Sequence, residues 1–291
     1  MRSGCTRCSG ATRLYGLIGS PVSKSLSPAI HCTVFREAGV DAVYLAWETP
    51  PERLVDTVAA LRVLASGFNV TIPHKEAVAR LLDSVDRDAE AIGAVNTVVN
   101  REGRLVGYNT DHIGVRRCIE EACHRPRVAL IVGAGGAARA ALYALASMGA
   151  ERVVVANRGR ERGERLASWA SRVLGLDAAY SPLGEANRWA READTIINAT
   201  PLGSESCCPE EAPPVLEAIQ PGQLVFDMVY RPLETRLLRE ARRRGAKTVD
   251  GLCMLVWQAL YADMIWLGVE PTPRLYREAR RAALEELGEP G

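Results

Sequence analysis

Four stretches of this sequence have residue types and spacing suited to chemistry. In Ser20-Pro21-Val22-Ser23-Lys24-Ser25-Leu26-Ser27-Pro28, serines and a lysine cluster between an apolar run and a helical pattern. Hydroxyls beside a helix N-terminus, with its unpaired N–H groups and partial positive charge, make a natural carboxylate site. Further on, polar residues recur at the ends of predicted strands: Asn69, Thr71, Lys75, Asn96 and Asp111. Ligands of open α/β sheets sit beyond the carboxyl ends of strands, so this set is a candidate pocket, although each residue alone is also a common cap or turn former. Lys75 is the candidate acid/base. A lysine, with a pKa of about 10.4 in water, stabilises a developing alkoxide or donates a proton to it. Asp111 would hold that charge or bond a substrate hydroxyl.

The third stretch, Arg127 to Gly149 (RVALIVGAGGAARAALYALASMG), gives strand, glycine turn and helix in the order a dinucleotide requires. Gly133 makes the turn, Gly135 lets the backbone approach a pyrophosphate, and Ala138 lets helix pack on strand. The fourth follows the next strand. An NAD-type site would place Asp or Glu there for the ribose 2′-hydroxyl; here Asn157 precedes Arg158, Arg160 and Arg162. Guanidinium groups pair with a 2′-phosphate where a carboxylate would repel it, so the sequence leans towards NADP. An arginine-rich helix start is the plainer alternative.

Around these stretches, short strands and helices alternate, which argues for an α/β fold and, at 291 residues, for about two domains. Strands are predicted at Arg13–Gly19, Val43–Trp47, Gly67–Ile72, Ile92–Asn100, Arg104–Tyr108, Val128–Val132, Arg152–Ala156, Asp194–Ala199, Gln223–Val229 and Ala246–Val249. Ser27 reads as the N-cap of a helix that begins at Pro28 and stops at Gly39. Further helices are predicted at Pro51–Leu64, from Lys75 to Leu82, from Asn109-Thr110-Asp111 to about Cys123, at Glu234–Arg244 and at Thr272–Leu287. Leu252–Leu267 is short for a membrane span and carries Gln258 and Asp263, so it reads as a buried helix.

With Lys+Arg 36 against Asp+Glu 35, no nucleic acid or other polyelectrolyte partner is implied, and ERGER and REARRRG read as solvated helix faces with ion pairs. Cys5 and Cys8 form one CxxC without a second pair or a nearby histidine, so no metal is expected. Cys32, Cys118, Cys123 and Cys253 fall in apolar helical patterns and read as small hydrophobes; Cys207-Cys208 is a vicinal pair with no assigned role. The histidines, His31, His74, His112 and His124, lie on separate elements; His74, beside Lys75, is the one placed near the candidate pocket. No signal peptide is visible, which makes a reducing cytoplasm the expectation.

Nine stretches, in order, make the sequence resemble the shikimate dehydrogenase family: SKSLSPAIH, FNVTIPHK, IGAVNT, GYNTDHIG, VGAGGAARA, NR followed by Arg162, NATPLG, FDMVYRPLET and DGLCMLVWQ. They cover about residues 14–270. The resemblance implies an N-terminal α/β substrate domain (13–115), a Rossmann-type doubly wound NADP domain (116–250) and C-terminal helices (251–291) returning to the first domain, after an extension (1–12) expected to be disordered. It implies reversible reduction of 3-dehydroshikimate with NADPH, in aromatic amino-acid biosynthesis through chorismate. Ser25 and Ser27 match residues holding the substrate carboxylate, and Thr71, Asn96, Tyr230 and Gln258 match residues bonding its hydroxyls or carboxylate. Lys75 and Asp111 match the polar pair at the reacting carbon. Gly133, Ala134, Gly135, Gly136 and Ala137 match the pyrophosphate loop, Asn157, Arg158 and Arg162 the 2′-phosphate contacts, and Met228 and Gly251 contacts near the nicotinamide. The sequence departs from the family pattern at Lys24, where histidine is common, and at Gly159, where threonine is usual. Competing readings are an NAD-dependent quinate/shikimate dehydrogenase, a methylenetetrahydrofolate dehydrogenase and a nucleotide-binding regulator without turnover. Asn157 with its arginines, the SKSLSP stretch with Gln258, and the retained Lys75 and Asp111 argue against them in turn. The expected partner is a small substrate, the expected state a monomer or homodimer.

Overall fold

The computed structural model describes residues 8–289 and divides into two units, Met1–Thr110 with Val256–Gly291, and Asp111–Leu255. Cys5 and residues 1–7 of the expected extension lie outside the described residues. Within residues 8–12, the Thr12 hydroxyl accepts from the Ser9 N–H and donates to Asp41, at 2.8 Å each.

The first unit begins β1 (Arg13–Gly19), α1 (Ser27–Glu37), β2 (Ala42–Glu48), α2 (Leu54–Leu64) and β3 (Gly67–Val70). It continues β4 (Ser84–Val85), α3 (Arg87–Ile92), β5 (Thr97–Arg101) and β6 (Arg104–Tyr108). The strands form one sheet in the order β2-β1-β3-β5-β6-β4, parallel from β2 to β3 and antiparallel across β3-β5-β6. Glu102 and Gly103 turn the β5–β6 hairpin with φ of 55° and 87°, the left-handed backbone that a tight hairpin needs. Apolar side chains cover both faces of β1: Ile18 packs with Val58, Phe68 and Leu105, while Tyr15 and Leu17 pack with Phe35, Tyr44 and Trp266.

The expected strand Gly67–Ile72 ends at Val70, and the expected helix from Lys75 is a single 3₁₀ turn, Val78–Leu81. Ser27 does not cap α1. The N-cap is Leu26, in helical conformation and without a side-chain cap bond, and the Ser27 N–H instead donates to Ser25 Oγ at 3.2 Å. Ahead of the helix that begins at Asp111, Asn109 Nδ2 donates to the Ala94 carbonyl and the Thr110 side chain is bonded to Asn96.

The second unit contains α4 (Asp111–Glu121), β7 (Val128–Val132), α5 (Gly136–Ser147), β8 (Arg152–Asn157), α6 (Arg160–Leu174), β9 (Asp177–Pro182), α7 (Ala186–Ala190), β10 (Thr195–Asn198), β11 (Leu224–Asp227), α8 (Arg236–Arg243) and β12 (Lys247–Val249). All six strands are parallel, in the order β12-β11-β10-β7-β8-β9. This is the doubly wound arrangement, with its switch point between β7 and β10. The arginine-rich helix faces carry i,i+4 ion pairs such as Arg160–Glu164 and Arg165–Glu161, at 2.8 and 2.6 Å.

α9 (Gly251–Leu267) begins in the second unit and runs on, from Val256, as part of the first, where α10 (Pro273–Leu287) packs on α1. Asp263 of α9 is fully buried because His31 of α1 bonds it, Nδ1 to Oδ1 at 2.8 Å. Burial pushes the Asp263 carboxyl up, and His31 opposes the shift. No helix among the described residues is long and apolar enough to cross a membrane.

The cysteines differ from the sequence reading. Cys118 of α4 and Cys253 of α9 form a disulfide across a sequence separation of 135. Neighbouring helix faces bring their Cα atoms to 6.0 Å, a proximity that no local pattern encodes. In the chain-entropy account, closing a loop of that length stabilises the folded state by up to about 5 kcal/mol. Cys32 and Cys123 are exposed rather than buried.

Candidate active site

The topology of the first unit delivers the candidate substrate residues to one end of its sheet. β1 and β3 are parallel with Ile18 level with Val70, so Ser20–Ser27 and Thr71–Lys75 leave the sheet side by side. The antiparallel pairing of β5 and β6 returns the start of β5, next to Asn96, and the end of β6, next to Asn109, to that same end. Gly19 is required there, because a Cβ would lie 2.3 Å from Thr71 Cγ2 and 2.9 Å from the Ile72 carbonyl oxygen.

The serine loop is built to hold its shape. Ser20 N–H donates to the Ile72 carbonyl at 2.9 Å, and Val22 N–H donates to Glu48 at 3.0 Å. Bonds from the Ser20 hydroxyl and from Val22 N–H hold the Glu48 carboxyl below the usual range. Ser25 is half-buried, Ser27 buried and Lys24 exposed. The first turn of α1 carries no acidic residue, so nothing there opposes an anion.

Lys75 is half-buried, and its carbonyl accepts from Val95 N–H at 2.7 Å, which anchors its backbone beside the start of β5. Asn96 Nδ2 donates to Thr110 Oγ1 at 3.0 Å and to Gln258 Oε1 at 3.1 Å. This joins the carboxamide that precedes β5 to one from α9, with the Thr110 hydroxyl beside both. His74, beside Lys75, is buried with Nε2 2.6 Å from the Thr49 carbonyl oxygen, a structural bond. His31 pairs with Asp263, His112 packs edge-on against Tyr143, and His124 bonds Thr195.

The second unit carries the cofactor candidates. Gly133, with φ of +115°, follows β7, and a Cβ on it would lie 2.9 Å from the Ala199 carbonyl oxygen. The turn must therefore be glycine to let the loop after β10 pass. Gly135 differs: its φ of −102° suits any residue, and a Cβ there meets no protein atom within 4 Å. The protein's own packing does not require this glycine, whereas close approach of a pyrophosphate does. α5 starts at Gly136 with no side-chain cap and no acidic residue in its first turn, leaving its N–H groups for phosphate oxygens. Ala138 is fully buried. These residues fit a dinucleotide at the switch point.

Asn157 ends β8 with its Nδ2 bonded to the Gly159 carbonyl at 2.8 Å, so no carboxylate occupies the position that holds a ribose 2′-hydroxyl. Arg158 and Arg162 are exposed and pair with no carboxylate among the described residues; Arg162 reaches the Ala134 carbonyl of the glycine loop at 3.4 Å. Asp111, buried, opens α4. Tyr230 is half-buried, with its hydroxyl pushed up by burial. Gly251 lies against the Met228 carbonyl, where a Cβ would approach to 2.4 Å.

At the end of β11, buried Asp227 accepts from Asn198 Nδ2, Val229 N–H and the Thr235 hydroxyl at 2.9, 3.1 and 2.6 Å. Burial pushes its carboxyl up from 3.8 to about 6, against the lowering effect of those bonds. Between those values the folded chain binds the proton more tightly than the unfolded chain, so stability falls as pH rises through about 6. Asp227→Asn is expected to flatten that fall, which amounts to about 3 kcal/mol at most. Thermal midpoints of variant and parent at about pH 4.5 and about pH 7.5 check this: the difference between them should shift in favour of the variant at the higher pH. A difference independent of pH would refute it.

A doubly wound unit with a glycine loop at its switch point, together with a second α/β unit presenting hydroxyls, carboxamides and a lysine from its strand ends, defines a dinucleotide-dependent dehydrogenase. Residues 17–98 match the family model for the shikimate dehydrogenase substrate binding domain, and residues 119–229 match that for shikimate / quinate 5-dehydrogenase. The NADP(+) shikimate dehydrogenase of Thermococcus kodakarensis is 46% identical over 280 residues, covering 96% of this chain and 98% of the relative. The shikimate 5-dehydrogenase of Thermus thermophilus, solved with NADP(H) and shikimate, is 41% identical at a TM-score of 0.83, covering 94% of this chain and 100% of the other. A quinate dehydrogenase from Corynebacterium glutamicum, solved with NAD, is 32% identical at a TM-score of 0.84, covering 94% of this chain and 99% of that one. The chain belongs to the shikimate dehydrogenase family.

Proposed function

We propose that this chain catalyses the reversible NADPH-dependent reduction of 3-dehydroshikimate to shikimate, the dehydrogenase step on the route to chorismate and the aromatic amino acids. The observation that carries the reading is the convergence of Ser25, Ser27, Thr71, Lys75, Asn96 and Gln258 at one end of one sheet, or bonded to it. Such a set suits a small, polyhydroxylated carboxylate. Ser25 and Ser27 hold the carboxylate, while Thr71, Asn96, Gln258 and Tyr230 bond the hydroxyls or carboxylate. Gly133 to Ala137 cradle the pyrophosphate, with Asn157, Arg158 and Arg162 at the 2′-phosphate and Met228 and Gly251 near the nicotinamide.

Bound NADPH supplies the hydride. Lys75 Nζ–H donates to the carbonyl oxygen, stabilises the alkoxide as negative charge develops and passes it a proton. Asp111, the other member of the polar pair at the reacting carbon, bonds a substrate hydroxyl. In the reverse direction Lys75 accepts the proton from the shikimate hydroxyl.

Following reduced nicotinamide by absorbance, with shikimate or quinate and NADP or NAD, tests the assignment: turnover is expected with shikimate and NADP. Turnover chiefly on quinate, or with NAD, would point to the broader dehydrogenase. Arg158→Ala combined with Arg162→Ala is expected to raise the KM for NADP between about tenfold and a hundredfold, as two charge-assisted bonds are lost. Activity with NAD should be unchanged; an equal loss with both cofactors would refute the 2′-phosphate role.

A further inference from the structure

Behind the Asn96–Gln258 pair lies a chain of buried hydrogen bonds in which the orientation of both asparagine amides is fixed. Asn69 Nδ2 faces the Asn96 backbone carbonyl at 3.1 Å, an obligate acceptor, so the Asn69 amide cannot be reversed. Its Oδ1 accepts from the Tyr44 hydroxyl at 2.7 Å, and its Nδ2 also donates to Thr97 Oγ1 at 3.0 Å. The Thr97 hydroxyl donates to Asn96 Oδ1 at 3.0 Å, its shorter contact, and lies 3.3 Å from Thr110 Oγ1. Asn96 Oδ1 also accepts from Thr110 N–H at 2.7 Å, an obligate donor, which fixes the second amide. Asn96 Nδ2 must then donate to Gln258, leaving Oε1 as the only end of that amide able to receive it. Tyr44, Asn69, Asn96, Thr97 and Thr110 are all buried, so water does not substitute for a lost link.

We propose that Thr97 is a positioning residue for the substrate site: by accepting from Asn69 and donating to Asn96, it holds, together with Thr110 N–H, the Asn96 carboxamide that sets Gln258 so that Nε2 is the end presented to a lone-pair oxygen of the substrate. The proposal rests on the reading that Gln258 bonds substrate. Thr97 itself is fully buried and acts through Asn96. Valine has the shape of threonine without either hydrogen-bonding function, so T97V removes both the acceptor for Asn69 and the donor to Asn96.

The test is a mutant cycle on the full chain, with KM for shikimate, kcat and KM for NADP measured for T97V, T97S, Q258A and the T97V/Q258A double variant. T97V is expected to raise the KM for shikimate about tenfold, with kcat and the KM for NADP held within about threefold, and T97S to restore it. In the Q258A background T97V should add no further increase, because the amide it orients is gone. A folded T97V enzyme with unchanged KM, or T97V and Q258A effects that multiply, would overturn the relay. Q258A with an unchanged KM would overturn the substrate-site reading itself. If T97V does not fold, side-chain amide signals of the unmodified protein decide: slow solvent exchange at Asn96 supports the relay, and rapid exchange removes it.

Discussion

Lys75→Ala is expected to lower kcat by about a thousandfold while moving the KM for shikimate by less than about threefold, the loss typical of a proton donor at a developing alkoxide. The backbone around Lys75 is held by bonds that the substitution spares: Val95 N–H to the Lys75 carbonyl, His74 N–H to the Thr71 carbonyl, and the buried His74 ring on the Thr49 carbonyl. The side chain is half-buried, so its removal opens no large cavity in the core. The fold, the serine loop and the Asn96–Gln258 pair therefore persist, and the deficit falls on the chemical step. Steady-state kinetics of the purified variant check this. A kcat within about tenfold of the parent, about 1.4 kcal/mol of barrier, would mean that another group carries the proton.

The second large effect separates two glycines to which the sequence assigns different tasks. Gly135→Ala is expected to leave the thermal midpoint within about 2 °C while raising the KM for NADP at least about a hundredfold. Its φ of −102° is ordinary and its Cβ would touch no protein atom within 4 Å, so the methyl group collides only with what the loop binds. Gly133→Ala should instead destabilise the second unit by about 2 kcal/mol or more, because φ is +115° and the new Cβ would lie 2.9 Å from the Ala199 carbonyl oxygen. Thermal melts and NADPH titrations of the two variants check the contrast. Normal NADPH affinity in a folded Gly135→Ala protein would remove the pyrophosphate from this loop.

What the sequence made legible follows from where its constraints are local. β7 and α5 were readable because a parallel strand buried from its second residue on is a continuous apolar run and the glycine turn must follow it directly. The alternation of strands and helices likewise carried the α/β class. The two-residue β4, the six-residue α3 and the half-exposed β9 show too little periodicity to stand out. At the candidate site, the polar residues at strand ends were visible as a set, and the parallel and antiparallel pairings show why they meet. Ser27 misled, because serine before proline fits an N-cap, yet Ser25 takes that N–H. Thr97, Thr110 and Tyr44 were invisible for another reason: their importance lies in bonds between elements far apart in the chain. The same holds for Cys118 with Cys253 and for His31 with Asp263.

The Cys118–Cys253 bond also changes what kind of molecule the second unit is. Residues 118–253 form a closed covalent ring, and the chain enters and leaves it through Cα atoms 6.0 Å apart. All six strands of that sheet, from Val128 to Val249, and the glycine loop lie inside the ring. A single cut in its backbone, for example in the exposed stretch Glu205-Ser206-Cys207, cannot separate the two pieces while the bond is oxidised. Such a nick turns the ring into one linear path that still runs through the disulfide, so the nucleotide unit keeps both of its covalent connections to the rest of the chain.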